Sequence, residues 1–158
     1  MLKPSTQHHD IMINAPFGGV GINIQNECVI GVTLFPIQKT VRDIDGLCAQ
    51  NLKQQIAQYF QNADARIEVF FKVAGTQFQQ RVWKAISAIP VGQVLTYSEL
   101  AREVGSGPRA VANACGANKL PLLIPCHRVV AKNGLGGFMQ SVPDGLKIKE
   151  WLLAHESK

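Results

Sequence analysis

Residues 96–117, TYSELAREVGSGPRAVANACGA, hold the reading from which the fold follows. Thr96 to Val104 is predicted as a short helix. Gly105-Ser-Gly-Pro108 then forms a tight turn that places Pro108 at the first position of the next helix, where its missing N–H has no intrahelical partner to lose. That helix is predicted from Pro108 to Ala117. Two helices joined by a short glycine-containing turn predict a helix-turn-helix. The second helix is smooth: Ala110, Ala112, Asn113, Ala114, Gly116 and Ala117 are small, and Arg109 stands at its start. A helix that reads the major groove needs long base-contacting side chains. A smooth helix suits close approach to a minor groove while one arginine reaches into the duplex, a geometry fitted to extruding a base. The same small residues also serve ordinary tight packing between helices.

Upstream, Thr76-Gln-Phe-Gln79 has the T-x-x-Q form of a capping box, and Phe78, Val82, Trp83, Ile86 and Ile89 follow on one helical face until Pro90. Further back, Ile11 to Phe35 is β-like: Val20, Ile22 and Ile24 alternate, Gln25-Asn-Glu27 turns, and a second strand starting at Cys28 is stopped by Pro36. Between Val41 and Phe60 the residues Ile44, Leu47, Leu52, Ile56 and Phe60 predict a helix against that sheet, weakened in its first turn by Gly46. Asn62-Ala-Asp-Ala reads as a linker. Downstream, Ala131 to Gly145 is rich in glycine and turn formers, and Ile148, Trp151, Leu152 and His155 define a closing amphipathic helix. The expected fold is therefore α+β. Residues 1–70 form a small antiparallel sheet with a helix, a structural domain, and residues 71–158 form a mainly helical domain with the helix-turn-helix.

The charge is unevenly spread. Residues 1–70 hold five Lys/Arg against six Asp/Glu, and residues 71–158 hold eleven against five, so the C-terminal part is where a polyanion is expected to bind. No apolar run approaches the roughly 18 residues of a bilayer span, and Met1 to Asp10 lacks an apolar core for export, so a protein of the cytoplasm, or of the nucleus in a eukaryote, is expected. Cys28, Cys48, Cys115 and Cys126 are scattered without close pairs, which fits a reducing compartment. His8-His9-Asp10 is the one metal-like cluster, and it lacks ligand spacing; no metal and no cofactor are expected.

Ile124-Pro-Cys-His-Arg-Val-Val130 sets a soft nucleophile beside an imidazole and a guanidinium. Either neighbour can lower a thiol pKa, and nucleophilic cysteine needs thiolate. A buried inert cysteine next to an unrelated histidine fits the same residues. Glu156, about 30 residues on, completes a Cys-His-Glu relay if its carboxylate orients His127, although terminal glutamates are common. Tyr97 stacks on a base, donates a proton to one, or is simply structural.

Taken together the motifs resemble the O6-alkylguanine-DNA alkyltransferases, also called methylated-DNA–protein-cysteine methyltransferases. The match runs in order through GTQFQQRVW (75–83), IPVGQVLTYSELA (89–101), RAVANACGANKLPLLIPCHRVV (109–130) and KEWLLAHE (149–156). The resemblance implies that Cys126 accepts the alkyl group, that His127 carries a proton through a water, and that Glu156 orients His127. Asn118 is similar to the hinge asparagine that ties the recognition helix to the active-site turn. Arg109 is similar to an arginine finger that replaces the flipped nucleotide. Tyr97 resembles the tyrosine against the flipped guanine and its 3′ phosphate, and Val129 offers its carbonyl to the exocyclic amine. Ala110, Asn113 and Arg128 are placed with the DNA-binding residues.

The implied activity is single-turnover, irreversible repair of O6-alkylguanine, with O4-alkylthymine as a further substrate, in double-stranded DNA by a monomer. Two departures stand out: Phe138 replaces a common tyrosine, and Met139 to Asp144 lengthens the loop that walls the alkyl pocket. A lesion-binding protein without transferase activity usually lacks the acceptor cysteine, and a transcription regulator would need base-reading side chains on the second helix.

Overall fold

The computed structural model describes residues 9–38, 46–138 and 144–157. Its fold is α+β. Three strands, β1 (Ile11–Ala15), β2 (Gly18–Gln25) and β3 (Cys28–Phe35), form an antiparallel sheet in the order β1-β2-β3. The register pairs Ile11 with Ile22, Ile13 with Val20, Val20 with Leu34 and Ile22 with Val32, so the alternating apolar residues share one buried face. An irregularity at Asn23/Ile24 interrupts the β2–β3 ladder. The β1–β2 turn requires a glycine at position 18: φ is +147°, and a Cβ there would run into the Phe35 carbonyl oxygen.

Helix α1 (Leu47–Gln61) lays Ala49, Leu52, Ile56 and Tyr59 into the core. The expected start near Val41 and Ile44 lies outside the described residues. Gly46 is not inside this helix but caps it, with φ +142° and no side-chain cap. Helix α2 (Gln77–Ser87) begins with the predicted capping box, both Thr76–Gln79 hydrogen bonds being present. It ends three residues before Pro90, in a turn where Ile89 N–H donates to the Ile86 carbonyl. Helix α3 (Tyr97–Val104) has a second box, Thr96–Glu99, and stops at left-handed Gly105. Helix α4 (Pro108–Gly116) has Pro108 in its first turn and Ala117 as its C-cap.

A short parallel pair that periodicity did not predict joins β4 (Leu95–Thr96) to β5 (Val129–Val130), fixing the start of α3 beside the end of the Pro-Cys-His-Arg segment. The closing helix α5 (Gly145–Glu156) buries Ile148, Lys149, Leu152 and Glu156.

The two expected halves share one continuous core. Around the expected boundary, Val29 N–H donates to the Phe70 carbonyl and Lys72 N–H to the Val29 carbonyl, both at 2.9 Å, so the chain crosses over bound to β3. Phe17 and Phe60 pack edge-on against Trp151, and Trp151 stacks on His155 at 4.7 Å. His155 Nε2 meets the Tyr59 carbonyl oxygen at 2.6 Å. Through this cluster α5 is seated against α1, which sets the end of α5, where Glu156 lies. Among the described residues no helix is long and apolar enough to cross a membrane.

Candidate active site

Cys126 opens a 3-10 turn, Cys126–Arg128, that follows Pro125. The loop before it folds on itself: Ile124 N–H donates to the Leu120 carbonyl, and Leu122 takes a left-handed conformation at φ +75°. Asn118 organises that loop with one side chain. Its Oδ1 accepts from Leu120 N–H at 2.9 Å, and its Nδ2 donates to the Ile124 carbonyl at 3.0 Å and to Cys126 Sγ at 3.2 Å. The Asn118 N–H donates in turn to the Cys115 carbonyl at the end of α4. Asn118 thus joins α4, through its backbone, to the thiol, through its side chain.

Successive side chains in a 3-10 turn point about 120° apart, which separates the three neighbours. Cys126 is 7% exposed. His127 and Arg128 turn inward to Glu156. His127 Nε2 lies 2.9 Å from Oε2, Arg128 Nε donates to Oε1 at 2.8 Å, and Arg128 Nη2 donates to Oε2 at 3.0 Å. Arg128 Nη1 donates to the Ile89 carbonyl at 2.6 Å. Tyr59 O–H, from α1, donates to Oε2 at 2.6 Å. Burial works to raise the Glu156 pKa, but the hydrogen bonds from His127, Arg128 and Tyr59 outweigh it and hold the carboxyl well below the usual carboxylate range. Because an ionised carboxylate only accepts, the proton of the neutral imidazole sits on His127 Nε2, and the Nδ1 lone pair is left free to take another. Nδ1 is buried and has no hydrogen-bond partner among the described residues. Burial depresses the His127 pKa, and Glu156 opposes that shift.

Two expectations are corrected. Arg128 is not on a DNA-facing surface: its guanidinium is spent on Glu156 and the Ile89 carbonyl, and the residue is 9% exposed. Nor do His127 and Arg128 lower the Cys126 pKa. Burial raises it, while the Asn118 hydrogen bond and the Lys149 charge act in the opposite direction. The resting group is a thiol that must give up its proton as it reacts.

The remaining predicted residues lie on α3, α4 and β5. Arg109, Ala110 and Asn113 are exposed along α4, while Val111 and Ala114 are buried beneath them. Tyr97, half-buried at the start of α3, packs on Gly136, where a Cβ would come within 2.8 Å of the tyrosine ring. Burial, then the charge of Cys115, raises the Tyr97 pKa, so its hydroxyl stays protonated. Phe138 is buried, and residues 139–143 of the longer loop lie outside the described residues. His9 Nε2 contacts Thr33 Oγ1 at 3.1 Å, His8 lies outside the described residues, and no group of three or more His, Cys, Asp or Glu side chains among the described residues is placed to hold a metal.

Sequence reasoning passed over two site residues. Lys149, fully buried, donates to the Val129 carbonyl at 2.7 Å and to the Gly137 carbonyl at 2.9 Å, and its Nζ lies 5.9 Å from the Tyr97 ring centroid. Burial pulls its pKa down to about 8. The Val129 carbonyl expected to meet the base is therefore already oriented by Lys149. A lysine on the stripe Lys149–Leu152–Glu156 of α5 was a usable signal. Cys115 is the other: burial, and then the nearby Cys126 charge, pushes its thiol up to about 12.

The comparisons agree with this architecture. The family described as "6-O-methylguanine DNA methyltransferase, DNA binding domain" matches residues 77–158. A probable methylated-DNA–protein-cysteine methyltransferase of Acanthamoeba polyphaga mimivirus is 47% identical over 102 residues, 63% of this chain and 62% of the relative. A methylated-DNA–protein-cysteine methyltransferase of Archaeoglobus fulgidus is 37% identical over 105 residues, 65% of this chain and 71% of the relative. The structure of the Mycobacterium tuberculosis O6-methylguanine methyltransferase superposes with a TM-score of 0.79 at 28% identity, covering 94% of this chain and 92% of that one. The structure of the M. tuberculosis protein in complex with DNA gives 0.76 at 30% identity, covering 92% and 90%. The chain belongs to the 6-O-methylguanine DNA methyltransferase family. Its matched part spans about three fifths of the mimivirus relative and of a Salmonella typhimurium relative.

Glu156→Gln is expected to lower the unfolding free energy by about 3 kcal/mol at neutral pH, since Arg128 is left buried without its counter-charge. Because the Glu156 pKa is depressed in the folded state, the wild type keeps this stability above the ordinary carboxylate range and loses it as pH falls through and below that range. Urea unfolding at a series of pH values should show the deficit shrinking toward acid. A deficit independent of pH would contradict the assignment.

Proposed function

We propose that this protein repairs O6-alkylguanine in duplex DNA, and O4-alkylthymine as a further substrate, by moving the alkyl group irreversibly to Cys126. The observation that carries the reading is the line Asn118–Cys126 and His127–Glu156: a buried thiol held by an amide beside an imidazole whose tautomer is set by a carboxylate.

The exposed face of α4 with Arg109, Ala110 and Asn113 lies against the minor groove, as the smooth helix of a helix-turn-helix formed by α3 and α4. Arg109 enters the stack where the lesion nucleotide has swung out. The flipped base meets Tyr97 and the Val129 carbonyl, which Lys149 orients. His127 Nδ1 takes the Cys126 proton through a water, and Glu156 stabilises the imidazolium that results. The thiolate attacks the alkyl carbon, the C–O6 bond breaks, and its electron pair returns to the guanine. The proton lost by the thiol restores the neutral base, assisted by the Tyr97 hydroxyl. A thioether is not hydrolysed under these conditions, so each chain reacts once. Unstacking costs a few kcal/mol, least at a weakened pair, which favours lesions over normal guanine. The excess of Lys and Arg in residues 71–158 supplies the phosphate attraction. The protein acts as a monomer, in the cytoplasm or the nucleus, with residues 1–70 and 71–158 as its two domains.

Incubation with a duplex carrying O6-methylguanine should add one methyl group per chain, mapped to the peptide holding Cys126. Cys126→Ala should remove transfer while binding the lesion within about twofold of wild type. Retained transfer in that variant would overturn Cys126 as the acceptor, and binding without any mass change in the wild type would overturn the transfer and point instead to a lesion sensor. Arg109→Ala should slow repair of duplex at least about tenfold, with little effect on reaction with free O6-benzylguanine. Equal losses on both substrates would exclude the finger role.

A further inference from the structure

The carboxylate oxygen that faces His127 is shared. Glu156 Oε2 receives Tyr59 O–H at 2.6 Å, His127 Nε2 at 2.9 Å and Arg128 Nη2 at 3.0 Å. Tyr59 lies on α1, 97 residues before Glu156, and is 4% exposed. Its ring is gripped by Phe60 and His155, and its own carbonyl oxygen meets His155 Nε2. This packing holds the ring so that its hydroxyl oxygen lies against Oε2. The N-terminal half, read from its sequence as structural, places a donor on the working oxygen of the relay.

We propose that Tyr59 is a positioning residue of this site: by donating to the same Oε2 atom that His127 uses, it fixes the carboxylate and limits how strongly Glu156 draws a proton onto the imidazole. The inference rests on the alkyl-transfer reading above. An oxygen with three donors gives each of them less charge than an oxygen with two. Without the Tyr59 hydroxyl, the His127–Glu156 hydrogen bond strengthens and the imidazolium becomes easier to form. His127 is then already protonated at a higher pH, and fewer molecules hold it ready to take the thiol proton. The other titratable or charged groups around the pair are Arg128 and the adjoining Cys126 from the 3-10 turn, and Lys149 and His155 from α5. Arg128 and Lys149 both disfavour the imidazolium. Tyr59 itself stays protonated, since burial and then Glu156 raise its pKa.

The test compares wild type, Tyr59→Phe and a full-length protein with difluorotyrosine at position 59, whose more acidic hydroxyl donates more strongly without changing the packing. Two readouts are taken: the His127 titration by nitrogen NMR, which needs no activity, and the single-turnover rate of methyl transfer against pH. Tyr59→Phe should move the His127 midpoint and the acid limb of the rate profile upward by about half a pH unit, so the rate on the acid side falls about threefold. The alkaline plateau and the affinity for lesion DNA should stay within about twofold. Difluorotyrosine should move both the other way. Unmoved midpoints, or a rate lowered by one factor at every pH, would overturn the inference. If Tyr59→Phe fails to fold, the difluorotyrosine protein alone decides by the direction of its shift. A wild type that transfers no methyl while the His127 midpoints move as described would sink the alkyl-transfer reading and leave the role of Tyr59 in place.

Discussion

A carboxylate taken out of water must be surrounded by donors, and the Glu156 carboxylate is the constraint on which this site depends. It is 3% exposed and is met by an imidazole, a forked guanidinium and a phenol. Desolvation of such a charge costs several kcal/mol and is offset only when geometry is good and the remaining lone pairs are occupied. Those conditions bind three separate pieces of chain to one point: α1 through Tyr59, the 3-10 turn through His127 and Arg128, and the end of α5. Displacing any of them leaves a buried charge without its partner. The aromatic contacts of Phe17, Phe60, Trp151 and His155 hold α5 on α1 in the position this needs.

The second constraint is Asn118, which acts on the nucleophile directly. One amide satisfies Leu120 N–H and the Ile124 carbonyl and still donates to Cys126 Sγ. Its backbone also bonds the end of α4. The exposed end of α4 at Arg109 and the buried thiol are thereby separated in space but joined through one residue. Arg109 stands exposed at one end of α4, and the thiol lies buried beyond the other. Lys149 does a similar service by linking the Val129 and Gly137 carbonyls close to the Tyr97 ring.

What could be read in the sequence was what is local in the chain. The Thr76 capping box, the glycine turn before Pro108, the alternation across Val20, Ile22 and Ile24, and the smooth face of α4 each depend on residues a few positions apart, and each is present in the fold. Cys126, His127, Asn118 and Glu156 were legible through a family pattern that covers the C-terminal half, and the structure brings them together. Contacts made only by tertiary packing were not legible. Nothing near Tyr59 announces a partner 97 positions away. The adjacency of Cys126 and Arg128 suggested electrostatic help for the thiol, but the turn sends the guanidinium inward, and burial dominates the thiol instead. Gly46 was read as a weak point inside a helix because periodicity ran on upstream, whereas its positive φ makes it the boundary.

The most direct test of this account is a double-mutant cycle across the buried ion pair, with Arg128→Met, Glu156→Leu and the double variant compared by urea unfolding at neutral pH. The account predicts that each single change costs about 3 kcal/mol or more and that the double variant is more stable than the sum of the two losses by at least about 2 kcal/mol, because no unpaired charge remains inside. Losses that add to within about 0.5 kcal/mol would contradict it.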